Sequence, residues 1–118
     1  MPGISVHVID VANGEPARGM RVEMYEIRPD GSRRKVGEGT VGENGSFDHP
    51  MTHGEGITAG TYEAELHVGG YYRARSPSDA APAFLDTVPF RFMVMDAGAH
   101  YHLPFKVSPW GLSVWRGR

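Results

Sequence analysis

Two histidines two residues apart, His100 and His102, lie in a run of alternating polar and apolar side chains that ends at Val107. On a β-strand this spacing projects both imidazoles from one face. A third, His7, falls on the face opposite Ile4, Val6 and Val8 in the run Ile4–Asp10. Three such imidazoles match the ligand set of a hydrolytic zinc site with an open position. They also match a metal-free acid–base site, because imidazole titrates near neutral pH and one ring can accept a proton while another donates. Solvated surface histidines are the third reading, and spacing alone does not separate the three. Near the end of the chain Arg116 and Arg118 add positive charge suited to an oxyanion. Chain ends commonly fray, but Leu112–Arg116 alternates, with Leu112 and Val114 available for burial. Trp115 then faces outward and needs a partner, a neighbouring subunit in preference to a flat ligand.

The elements that must hold these residues are strands. Asn13-Gly14, Asp30-Gly31, Asn44-Gly45 and Gly69-Gly70 are turn signals, and alternating segments lie between them. Strands are expected at Ile4–Asp10, Met20–Ile27, Arg33–Glu38, Gly60–Val68, Thr87–Met95, His100–Val107 and Leu112–Arg116, with a short piece at Ser46–Asp48. The only place left for a short helix is Ser76–Phe84, and its prolines weaken it. The pattern predicts an all-β sandwich of two antiparallel sheets with at most one short helix. Tyr62, Ala64, Leu66 and Val68 share a core face, as do Val88, Phe90, Phe92 and Val94, and Tyr101, Leu103, Phe105 and Val107. Glu63 and Glu65 read as a solvated face. Ile9, Met93 and Met95 fall on outer faces, which marks an assembly surface near the histidines.

Composition narrows the function. The 118 residues fit one domain, 1–118, large enough for a hydrophobic core. The net charge of −2 gives no electrostatic case for nucleic acid or an anionic membrane. Cysteine is absent, which removes thiolate chemistry and disulfides. No apolar run approaches a membrane span, and no basic segment followed by an apolar stretch opens the chain, so a cytoplasmic protein is expected. The glycine-rich Gly39–Gly45 lacks the Gly-Lys-Ser/Thr ending of a phosphate loop.

Several of these segments together resemble the transthyretin-like family, in its 5-hydroxyisourate hydrolase branch. The likeness rests on His7-Val8-Ile9-Asp10 with Asn13-Gly14-Glu15-Pro16-Ala17, then Asn44-Gly45 and Ala59-Gly60-Thr61-Tyr62-Glu63. It closes with His100-Tyr101-His102-Leu103-Pro104, Ser108-Pro109-Trp110-Gly111 and Arg116-Gly117. The resemblance implies a transthyretin-like β-sandwich assembled as a homotetramer, with active sites in a channel between paired outer sheets. It implies hydrolysis of the ring amide of 5-hydroxyisourate, a purine-derived intermediate of urate breakdown, without metal or cofactor. Carried over by position, His7, His102 and Arg116 are its catalytic residues. His100 takes a supporting role, and Ser46, Trp115, Gly117 and Arg118 complete the expected substrate pocket.

Three pocket positions depart from the family pattern. Ser46 stands where the family carries a catalytic arginine, Trp115 replaces a tyrosine and Arg118 a terminal serine. A larger apolar ring and fewer polar groups suit a substrate with methyls in place of ring N–H donors, each buried methyl contributing roughly 0.8 kcal/mol. Two substrates are therefore expected, 5-hydroxyisourate or an N-methylated form from methylxanthine oxidation. His7 would take the proton of the attacking water and Arg116, with Arg118, would stabilise the oxyanion. The alternative is a non-catalytic small-ligand-binding protein on the same scaffold.

Overall fold

Alternating side chains build two packed sheets in the computed structural model, which describes residues 2–75 and 84–117. Among these residues the strands are β1 (Gly3–Asp10), β2 (Glu15–Pro16), β3 (Arg21–Ile27), β4 (Arg33–Thr40), β5 (Ser46–Phe47), β6 (Gly60–His67), β7 (Thr87–Val94), β8 (His100–Val107) and β9 (Leu112–Val114). One sheet runs β2-β1-β8-β9, with β5 also pairing β1, and the other runs β4-β3-β6-β7. All pairings are antiparallel except one: β1 and β8 run parallel, with Gly3 opposite His100, Ser5 opposite His102 and Asp10 opposite Val107. No helix among the described residues is long and apolar enough to cross a membrane.

The core lies between the sheets and follows the expected faces. Ile4, Val6 and Val8 of β1 and Tyr101, Leu103, Phe105 and Val107 of β8 are buried against Val22 and Met24 of β3 and Tyr62, Ala64 and Leu66 of β6. The inward residues of β7 have the expected phase but bury unequally. Val94 is buried, whereas Val88, Phe90 and Phe92 are half-buried, because β7 is the edge of its sheet. Phe90 meets Phe105 edge-on at 5.7 Å between centroids, which ties that edge to the opposite sheet.

Two expectations are corrected here. Gly69-Gly70 is not a turn but part of a helix, α1 (Val68–Arg75), where none was expected. Residues 76–83 of the expected helix Ser76–Phe84 lie outside the described residues, and Phe84 is in a bend. Two glycines make α1 a poor helix by propensity, so tertiary contacts must hold it. Gly69 is needed for close approach, since a Cβ there would lie 2.7 Å from the Leu85 carbonyl oxygen. Tyr71 and Tyr72 then donate hydroxyl hydrogen bonds of 2.8 and 2.6 Å to the carboxylate of Asp10, which has no exposed surface. Glu63 is also not solvated: it is 7% exposed, with Arg91 and Arg33 at 3.1 and 3.3 Å.

Asp10 closes the end of β1. It also accepts from the Asn13 backbone N–H and side-chain amide, at 3.2 and 2.7 Å. Burial pushes its pKa up, but the hydrogen bonds from Tyr72, Asn13 and Tyr71 together outweigh burial and hold the carboxyl below its ordinary value. Glu23 is held down to about 2 by hydrogen bonds from Lys35, Tyr25 and His67, against its own burial. Both ionised carboxylates therefore stabilise the fold above the ordinary carboxylate range, and their contribution is lost as pH falls through their native values. Replacing Asp10 by Ala takes the carboxylate acceptor from two buried hydroxyls, leaving Tyr72 only the Val107 carbonyl, and is expected to cost about 3 kcal/mol, read as a lower midpoint in urea unfolding at neutral pH. The difference between Asp10→Ala and the native chain should shrink as the measurement is taken below pH 4.

Candidate active site

The parallel register of β1 and β8 assembles the polar cluster. Residues opposite one another in a ladder share a face, so Ser5 and His102 are neighbours outside the sheet, with His7 and His100 flanking them. Ser46 of β5 stands opposite His7 from the other side of β1. A cleft of about 500 Å³ opens here, lined by residues that include Ser5, Asn44, Ser46, Asp48, His53 and His102.

Each ring is held. Ser5 Oγ lies 2.6 Å from His102 Nδ1 and 2.8 Å from His100 Nε2. His7 Nε2 lies 2.8 Å from the Asn44 carbonyl oxygen and donates to it. That carbonyl reaches the ring because Gly45 takes a left-handed turn at φ 90°, and a Cβ on Gly45 would come within 2.7 Å of His7 Nε2. Gly117 plays the matching part on the other side. Its backbone N–H donates to the His102 carbonyl at 2.7 Å, and a Cβ on it would come within 2.8 Å of His102 Cδ2. The Asn-Gly turn and the C-terminal glycine thus fix one imidazole each.

Desolvation, followed by the fields of His7 and His100, lowers the pKa of His102 below the ordinary histidine value. His102 therefore stays neutral where a free imidazole begins to charge. A ring nitrogen of each histidine faces a local partner: the Ser5 hydroxyl for His100 and His102, the Asn44 carbonyl for His7. Among the described residues no three His, Asp or Glu side chains are placed to hold a metal ion. What the cluster offers is a neutral imidazole beside a second one in an open cleft, an arrangement for moving a proton to or from water.

The other expected residues are distributed unevenly. His7, His100, His102, Ser46 and Gly117 gather around β1 and β8, and of these Ser46 and His102 line the cleft. Arg116 does not line the cleft: its guanidinium lies 4.2 Å from the Tyr101 ring centroid and donates to the His100 carbonyl at 3.4 Å. Trp115 is 46% exposed, with Lys106 Nζ 5.6 Å from its ring centroid, and it too stands outside the cleft lining. Arg118 lies outside the described residues. Met93 and Met95 do not share the histidine face; β7 is in the opposite sheet. The residues that the sequence reading missed are Ser5, Asp48 and His53. Ser5 was within reach, since it shares the β1 face with His7 two residues on.

A second cleft, lined by residues that include Arg18, Arg21, His67, Tyr71 and Arg75, is basic by count but already neutralised. Glu38 holds Arg21, Glu23 holds His67 and Glu15 holds Arg75, each at 2.6 Å.

Two substitutions test the buttressing of the rings. Gly45→Ala is expected to destabilise by about 1 kcal/mol or more through its left-handed backbone and to displace His7. Gly117→Ala should shift the His102 ring resonances in NMR while leaving the melting temperature nearly unchanged. In the native chain an NMR titration should place the His102 midpoint below 6.5.

The HIUase/Transthyretin family model matches residues 4–117. The 5-hydroxyisourate hydrolase of Ralstonia nicotianae is 41% identical over 117 residues, spanning 99% of this chain and 99% of that one. The 5-hydroxyisourate hydrolase 2 of Rhizobium meliloti is 39% identical over 114 residues, spanning 97% and 94% of the two chains. Among solved structures, (S)-allantoin synthase superposes with a TM-score of 0.86 at 33% identity, over 98% of this chain and 43% of that one. By sequence the chain belongs to the HIUase/Transthyretin family.

Proposed function

We propose that this chain is a hydrolase that opens the ring amide of 5-hydroxyisourate by histidine-assisted attack of water. The observation that carries the reading is His102 in the lining of an open cleft, kept neutral by desolvation and by the fields of His7 and His100. The relatives named as 5-hydroxyisourate hydrolases, aligned over nearly the whole chain, support the substrate.

The reaction needs a proton removed from water, a negative charge held on the former carbonyl oxygen, and a proton delivered to the departing ring nitrogen. His7 and His102 handle the proton. Imidazole base assistance is worth about 10²–10⁴-fold in rate. The charge falls to Arg116. Arg116 is exposed and its hydrogen bond is long, so releasing it from Tyr101 toward the cleft costs on the order of 1 kcal/mol. Ser46, His100, Trp115, Gly117 and Arg118 complete the substrate surroundings in this reading.

We place the catalytic unit in a homotetramer of this one domain, residues 1–118, in the cytoplasm, with no nucleic-acid or membrane partner and no cofactor. In support, the exposed histidine face carries half-buried Ile9 and exposed Trp115, and among the described residues β9 pairs with no strand but β8. One observation favours a second substrate. Ser46 lines the cleft where the family's arginine is expected, and no Arg or Lys is among the cleft's described lining residues. An N-methylated 5-hydroxyisourate has fewer N–H donors to satisfy and loses less from missing polar partners.

The test is ultraviolet decay of freshly generated 5-hydroxyisourate and its trimethyl analogue. Native protein should accelerate decay of at least one, and His102→Ala should lose about 10²-fold or more. The rate should fall on the acid side as the imidazoles protonate. A flat profile to pH 5 counts against a histidine base, and Arg116→Ala with an undiminished rate counts against the oxyanion role. No acceleration of either substrate by a folded tetramer would leave small-ligand binding as the function.

A further inference from the structure

Ser5 sits between two imidazoles, and a hydroxyl has one proton to give. It must donate to one ring and accept from the other. The far side of His100 decides the direction. His100 Nδ1 faces the Pro2 carbonyl oxygen at 3.4 Å. A carbonyl only accepts, so that nitrogen carries the hydrogen, and in a neutral ring Nε2 is then bare. His100 Nε2 therefore accepts the Ser5 hydroxyl hydrogen over 2.8 Å. With its proton committed, Ser5 Oγ accepts from His102 Nδ1–H over 2.6 Å. His102 Nε2 is left with its lone pair free.

We propose that Ser5, backed by His100 and the Pro2 carbonyl, is a positioning residue that holds neutral His102 as the Nδ1–H tautomer and so presents Nε2 as the base. The inference rests on the hydrolase reading and deepens it by naming the nitrogen through which His102 acts. His7 has the opposite assignment, because its Nε2 must carry hydrogen to donate to the Asn44 carbonyl. Two backbone carbonyls, from Pro2 and Asn44, thus set opposite tautomers in neighbouring rings.

The chain also suits the protonated state. When Nε2 takes a proton from water, Nδ1–H goes on donating to Ser5 Oγ, so no hydroxyl has to turn. The hydroxyl dipole already points its oxygen at the ring that becomes positive, which is preorganised stabilisation. Without the hydroxyl, Nδ1–H loses its acceptor and nothing holds the proton off Nε2. The ring would still be present but in the form that donates.

The backbone explains why a small side chain does this. Gly3 stands opposite His100 and Ser5 opposite His102 in the parallel ladder. A Cβ at position 3 would lie 2.2 Å from the Thr52 carbonyl oxygen, so no side chain from β1 competes with His100 there. The serine reaches both rings from one point.

The experiment is nitrogen-15 NMR of the imidazoles at pH 8, with kcat and KM, on the native chain, Ser5→Ala and Ser5→Thr. The native His102 should show a protonated Nδ1 and an unprotonated Nε2. Ser5→Ala should move the proton to Nε2 and lower kcat about 10- to 10²-fold with KM little changed. Ser5→Thr keeps the hydroxyl and should restore both. A native His102 protonated at Nε2 overturns the proposal even if Ser5→Ala fails to fold. So does a folded Ser5→Ala with unchanged tautomer and kcat. Native protein that fails to hydrolyse either isourate overturns the hydrolase reading instead, and the tautomer measurement still reports on Ser5.

Discussion

Everything at this site depends on the parallel pairing of β1 with β8. Antiparallel hairpins could have built either sheet from neighbouring segments. Parallel strands need a long crossover, and here nearly the whole chain lies between the two. The pairing brings Ser5 and His7 alongside His100 and His102, separated by more than ninety residues in the sequence. It is locked at one end by Gly3 packed on the Thr52 carbonyl and at the other by Asp10. Tyr72 touches both strands there, since its hydroxyl reaches Asp10 and also lies 3.2 Å from the Val107 carbonyl. The short helix is thus less an independent element than a clamp that supplies donors to a buried carboxylate.

The two outer faces have separate characters. On β3 and β6 the outward residues are bridged charges: Glu23 with Lys35 and His67, and Glu63 with Arg33 and Arg91. Such a face is satisfied by its own partners. The outward face of β1 and β8 carries imidazoles, a serine and half-buried apolar side chains, with backbone carbonyls and a hydroxyl as hydrogen-bond partners. Desolvation and the fields of His7 and His100 favour neutral His102, and the cleft has no Arg or Lys among its described lining residues. In the proposed mechanism Arg116 must leave Tyr101 to reach an acyl substrate, which would make the arrangement of the C-terminal segment part of the chemistry.

Alternation was readable because a strand buries every second side chain whatever its partner. It located β1, β3, β6, β7 and β8, gave core faces for β1, β6, β7 and β8, and put His7, His100 and His102 outside the sheet. The Asn44-Gly45 turn was equally legible, because few residues other than glycine accept its backbone conformation. The helix was not: Gly69-Gly70 signals a turn locally, and only the tyrosine hydroxyls on Asp10 and the close approach at Gly69 override it. Glu63 read as solvated for a similar reason, its arginine partners coming from β4 and β7.

Residue types and their period determined the sandwich and the outward histidines, and the motif segments from His7 to Gly117 carried the resemblance to the family. Tertiary structure decided which of those residues meet. Ser5 joined the site, while Arg116 and Trp115 were set beside Tyr101 and Lys106 rather than in the cleft. The reason is physical: periodicity is a property of one strand, whereas register belongs to two. A hydrogen bond between Ser5 and His102 exists only once the β1–β8 register is fixed, and that register comes from burying a shared core and satisfying Asp10.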